Sequence, residues 1–145
     1  MKIGVKLPAE ITDAGEFIAD VTALEAAGAD IVWVDGEAAD LDPWLLAAAL
    51  AAATHRIKLG VMGPAAPSRM TATLHKLSRG RWVAEDADQW PLIPMPADRA
   101  SWQEAMGSHE AAGTAGVIVP WDPRLIDLLR NSEPDDRSDL LISTG

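Results

Sequence analysis

LEAAGADIVWVDG at residues 24–36, followed after four residues by LDPWLLAAALAAATHRIKLGVMG at 41–63, decides the fold. Gly28 stands where a glycine ends a helix, and ADIVWVDG beyond it is an apolar strand closing on Asp35 and Gly36. Asp42-Pro43 then pairs an N-cap with a proline at the first helical position, opening a helix apolar nearly all round. RIKLGVMG is the next strand. The order helix, strand, helix, strand, with strands apolar on both faces, implies a parallel sheet covered by helices.

The same rhythm extends outward. KIGVKL at 2–7 reads as a buried strand. Asp13 with Glu16 caps a helix whose apolar stripe is Phe17, Ile18, Val21 and Leu24. Downstream, Ser68 opens a helix running through Lys76 and closing near Gly80, and RWVAE is a short fourth strand. The second part repeats the first: VKLPAE (5–10) matches IPMPAD (93–98), LEAAGADIVWV (24–34) matches HEAAGTAGVIV (109–119), and DPWLLAAAL (42–50) matches DPRLIDLLR (122–130). Ser101 and Glu104 form a capping box for the second copy's helix, NSEPDDRSD is a loop, and DLLIST is a last strand. Only about four residues separate RWVAE from WPLIPMP, whereas a parallel crossover needs about a dozen or more. One of these segments is therefore antiparallel, or one is not a strand.

The chain thus reads as one α/β domain over 1–145, with an internal repeat at about 2–54 and 90–131. A complete (β/α)₈ barrel takes ~250 residues. The expected architecture is repeating βα units in a truncated or incomplete TIM-barrel-like, mainly parallel sheet with about five helices.

Composition narrows the function. A net charge of -10 argues against nucleic acid and anionic membranes as partners. No apolar run spans a membrane, and MKIGVKLP lacks the apolar core of a signal peptide. Cysteine is absent, which excludes thiolate chemistry and fits a cytoplasmic setting. From His55 to Arg81 there is no acid, but there are Arg56, Lys58, Arg69, Lys76, Arg79 and Arg81. This stretch is either a solvated helix face or a cradle for an anionic group.

His55, His75 and His109 have no metal-ligand spacing, and no metal site is expected. The catalytic signatures of hydrolases, P-loop proteins and zinc proteases are missing, so no catalytic residue is singled out. Active sites of βα folds lie at the strand C-termini. Here those ends hold Lys6, Asp35, Glu37, Met62, Gly63, Glu85, Asp86, Trp121 and Ser143, among others. Asp35 reads equally as a ligand contact and as the cap of its own turn, while Asp122, followed by Pro123, reads as an N-cap.

The ordered set Glu25, Gly28, Asp30, Trp33; then Ala51, Thr54, Arg56, Ile57, Leu59, Gly60; then Thr73, Leu74, Leu77, Ser78, Gly80, Arg81 resembles the N-terminal part of the bacterial-luciferase-like flavin- and deazaflavin-dependent monooxygenases. It covers about residues 1–83, and the chain looks like a shortened member. The resemblance implies an oxidoreductase using FMN or a deazaflavin. The ring would lie at the strand ends against Asp35, Gly60, Met62 and Gly63, with its phosphate on Arg69 and Arg81. The alternative is a non-catalytic βα module that oligomerises or binds a flavin without turnover. The unclosed sheet and the unpolar helix at 44–53 predict a homodimer.

Overall fold

The structure, a computed structural model, describes residues 1–8, 10–37, 41–63, 65, 67–83 and 90–130. Strands β1 (Lys2–Lys6), β2 (Ile31–Asp35), β3 (Lys58–Met62) and β4 (Gly116–Pro120) form a fully parallel sheet in the order β3-β2-β1-β4. Helices α1 (Ala14–Ala27), α2 (Pro43–Ala53), α3 (Ser68–Leu77), α4 (Arg99–Ala111) and α5 (Arg124–Arg130) follow the strands in the order β1 α1 β2 α2 β3 α3 α4 β4 α5. All five helices contribute to one core against a single face of the sheet, where Val5, Val32, Val34, Leu59 and Val119 point. Winding to one side only, with β4 returning beside β1, is the arrangement of a barrel segment rather than of a sheet covered on both faces.

Local chemistry sets the element ends. Asp13 accepts the Glu16 N–H at 3.0 Å, and Gly28 closes α1 at φ 103°. Asp42 accepts from Trp44 and Leu45 ahead of the expected proline. Asp122 accepts the Arg124 N–H at 2.8 Å, which makes it the cap of α5. The second half differs from expectation at α4, which begins at Arg99 rather than after Ser101. Asp98, extended at φ −151°, takes the Ser101 N–H and caps the helix three residues earlier than the Ser101–Glu104 box would.

The expected fourth strand shrinks to one parallel bridge between Trp82 and Leu59, and the strand at 92 to one parallel bridge between Leu92 and Ile118. Both are parallel, so the antiparallel option fails and the non-strand option holds. At the second site Pro91, Pro94 and Pro96 lack N–H groups, and the pairing is limited to Ile118 N–H to Pro91 O and Ile93 N–H to Ile118 O, both at 2.9 Å. Glu85, Asp86, the NSEPDDRSD loop and the DLLIST strand lie outside the described residues.

Candidate functional site

The helix-free face of the sheet is organised by one tryptophan. Strand alternation puts Gly4, Ile31, Trp33, Gly60, Gly116 and Ile118 on that face. Trp33, 3% exposed, spans the neighbouring strands. A Cβ on Gly4 would collide with its six-membered ring, and one on Gly60 would lie 2.7 Å from its Nε1. Trp90 lies over Gly116 in the same way at 2.6 Å and meets Trp33 edge to face, with centroids 5.8 Å apart. Ile31, Ile118 and Met62 complete this layer. Trp33 Nε1 is buried without a hydrogen-bond partner.

The same alternation sets Lys6 and Pro120 level with Trp33 and Gly60, and Asp35 and Met62 one pleat further toward the strand C-termini; Lys6, Pro120, Asp35 and Met62 are all half-buried. Here Gly36 N–H donates to Met62 O at 2.7 Å, and that carbonyl presses so closely that Gly36 has no room for a side chain. Gly63 follows at φ 122°, and a Cβ there would sit 3.6 Å from the Gly36 Cα. The two glycines form a ledge of bare backbone flanked by Asp35 and Glu37. Asp35 Oδ1 accepts the Glu37 N–H at 2.9 Å, so the turn-cap role is realised.

The six expected contact residues divide. Asp35, Met62 and Gly63 converge on the ledge. Arg69 lies in the first turn of α3, at the same end of the sheet, on a helix whose N-terminus has no side-chain cap and no acid. That end of α3 carries partial positive charge. Gly60 instead lies beneath the Trp33 indole.

Arg81 sits at the opposite end, after α3 and beside the start of β3, and its donors are committed to the framework. They go to Ser78 O (2.7 Å), Thr54 Oγ1 (2.8 Å), Ile57 O (2.8 Å), Ala51 O (2.9 Å) and Thr54 O (3.0 Å). It tethers the C-terminal end of α2, where partial negative charge favours a cation. Beside it, Glu25 Oε2 accepts the N–H groups of His55, Arg56 and Ile57 at 2.8, 2.7 and 2.9 Å. Burial pushes the Glu25 carboxyl up, but these three N–H groups and His55 outweigh it and hold the pKa below its ordinary value. Half of the basic stretch's expected cradle is therefore architecture.

Trp33 is not among the expected site residues, and Lys6 is expected only as one of the strand ends. The available signal was the alternation that puts both on Asp35's side of the sheet, with glycines on the strands flanking Trp33. Among the described residues no cluster of three His, Asp or Glu could hold a metal, and no helix is long and apolar enough to cross a membrane.

The family model described as luciferase-like monooxygenase matches residues 1–91. No match is found among curated proteins. Among solved structures, the chain is similar to the coenzyme F420 dependent tetrahydromethanopterin reductase from Methanopyrus kandleri, at 21% identity and a TM-score of 0.48. The match covers 73% of this chain and 30% of the reductase.

Proposed function

The chain belongs to the luciferase-like monooxygenase family, and we propose that it is a flavin- or deazaflavin-dependent oxidoreductase whose site is the Gly36–Gly63 ledge. The ledge carries this reading. It offers two side-chain-free backbone positions at the strand C-termini, bordered by Val61 and Glu37, against which a flat ring can approach the backbone. The residues present fit such a group: Asp35 supplies an acceptor and Met62 an apolar wall beside the ledge, with Lys6 and the unpaired Trp33 Nε1 as donors one pleat below. Arg69 at the uncapped start of α3 suits the phosphate. When bound, the ring supplies the electron chemistry, and the protein holds it and shields it from water. The proposed setting is the cytoplasm.

Titration with FMN and, separately, with a deazaflavin tests this, read by visible absorbance and tryptophan fluorescence. Saturable binding by either, weakened about tenfold in Arg69→Glu and unchanged in Arg81→Lys where that variant stays folded, is the expected result. No binding of either cofactor overturns it.

One observation favours a second reading, a non-catalytic module. Arg81 is spent on the framework, and the helix-free face over Gly60 and Gly116 is filled by Trp33 and Trp90. A saturated cofactor complex that never passes electrons to an added acceptor would select it. In either case we propose a homodimer. Leu45 is 70% exposed and Met70 40%, and both border an apolar groove of about 430 Å³ between α2 and α3, with Trp44, Ala48 and Leu74 in its walls.

A further inference from the structure

Arg69 belongs to two surfaces at once. It stands where the proposed cofactor's phosphate would lie, and it also lines the apolar groove between α2 and α3, beside Leu45, Met70 and Leu74. It is the one charged residue in that lining. Among the described residues no carboxylate pairs with its guanidinium.

The surface around the groove carries a single sign of charge. α2 has no charged residue, and the titratable side chains of α3 are all basic: Arg69, His75 and Lys76. Arg69, Thr73 and Lys76 stand at the i, i+4, i+7 spacing of one helix face, all three exposed, and Thr73 lines the groove. A two-fold contact of this groove with itself therefore sets like against like. Each copy brings its cations toward the other's, and neither α2 nor α3 has a carboxylate to answer them. Apolar burial of Leu45, Ala48 and Met70 favours the contact. The unpaired cations oppose it, because a charge taken out of water without a partner is costly.

A bound anion reverses that opposition. A phosphate monoester carries about −1.5 to −2 charge at neutral pH and takes two parallel N–H···O bonds from a guanidinium. We propose that cofactor binding and dimerisation are linked through Arg69. Phosphate on Arg69 neutralises the rim of the groove and tightens the dimer, and the dimer in turn tightens the hold on phosphate. The linkage rests on the cofactor and the dimer proposed above, and by thermodynamic necessity one factor governs both equilibria.

The test is the dimer dissociation constant of the full chain, from sedimentation equilibrium, with FMN, with riboflavin and with inorganic phosphate. Each is set against sodium chloride at equal ionic strength, which screens the cations without binding as a phosphate does. FMN is expected to tighten the dimer about tenfold, within the ordinary range of coupling between sites. Riboflavin has the same ring and no phosphate, and should leave the dimer unchanged. Inorganic phosphate should act in the direction of FMN but only at higher concentration, since it lacks the ring. The affinity for FMN, read by tryptophan fluorescence, should rise by the same factor from monomeric to dimeric protein concentrations. Arg69→Gln should dimerise at least as tightly without ligand and give no response to FMN. FMN that binds and leaves the dimer constant unchanged overturns the linkage and spares the cofactor reading. Equal tightening by riboflavin or by sodium chloride also overturns it, because the phosphate then plays no part. A chain that stays monomeric with FMN bound overturns the linkage and the dimer together. No binding of FMN overturns the linkage, and the parallel deazaflavin titration then decides whether the cofactor reading falls with it.

Discussion

The carboxylate of Glu25 and the backbone of Ile57, 32 residues apart, are joined by a 2.9 Å hydrogen bond, the last of three that one oxygen accepts from consecutive N–H groups. The bonds fix the turn between α2 and β3 onto the end of α1, and so set where β3 enters the sheet.

Because these bonds favour the ionised form, the Glu25 pKa is lower in the folded than in the unfolded chain. Its contribution to stability is therefore complete above the unfolded value, ~4.3, and is lost as pH falls through the lower folded value. Glu25→Gln should remove that acid-side dependence and cost roughly 1–3 kcal/mol at neutral pH. Urea unfolding of both proteins between neutral pH and the acid transition checks this. An unchanged pH profile in the variant would show that other carboxylates set it.

Arg81 acts on the same corner. Its planar fork reaches α2, Thr54 and the entry to β3 at once, which the single ammonium of lysine cannot do. Arg81→Lys is expected to lower stability by about 1–3 kcal/mol, since several buried carbonyls lose a charged donor. Denaturant midpoints measure this. A neutral result would mean water replaces the guanidinium without loss.

The sequence shows most of this frame and less of the site. Asp13, Gly28, Asp42 and Asp122 end their helices by local bonds, so short-range patterns expose them. Arg81 was expected at a phosphate because a charge run carries no information on which end of the sheet it reaches. Besides the nearby Ser78 carbonyl, its partners are the Thr54 hydroxyl and backbone carbonyls 24 to 30 residues away. Gly60 was expected to admit a ring, and it does, but the ring is the chain's own Trp33. Four of the residues that carry the family resemblance, Glu25, Asp30, Thr54 and Arg81, join the N-terminal ends of the strands, away from the ledge.

Trp33 and Gly60 give a third prediction. Gly60→Ala places a methyl 2.7 Å from the indole, tighter than side chains tolerate, and the neighbour is a rigid ring. The expected cost is about 1–3 kcal/mol from overpacking. Trp33→Leu alone should also destabilise by leaving a void, yet in the double variant the two losses should partly cancel, because the smaller side chain makes room for the methyl. A double-mutant cycle by chemical denaturation reads the coupling. Strict additivity would mean the ring does not rest on Gly60 in solution.

The last prediction concerns the second copy. The outer faces of α2 and α3 carry Leu45, Ala48 and Met70 around a 430 Å³ groove, and α2 itself has no charged residue. A monomer in water leaves this surface wet, and burying it across a two-fold axis recovers roughly 25 cal/mol per Å² of apolar area. Leu45 is the sharpest probe because it protrudes from the core rather than entering it, so its replacement spares the fold. Leu45→Glu should convert the dimer to a monomer at micromolar concentration with its helical signal retained, since a dimer would bury two unpaired carboxylates. Sedimentation velocity of both proteins decides it. A wild-type monomer removes the dimer altogether, and a Leu45→Glu dimer moves the interface off this groove to another surface, such as the sheet edge at Leu92, which is 57% exposed.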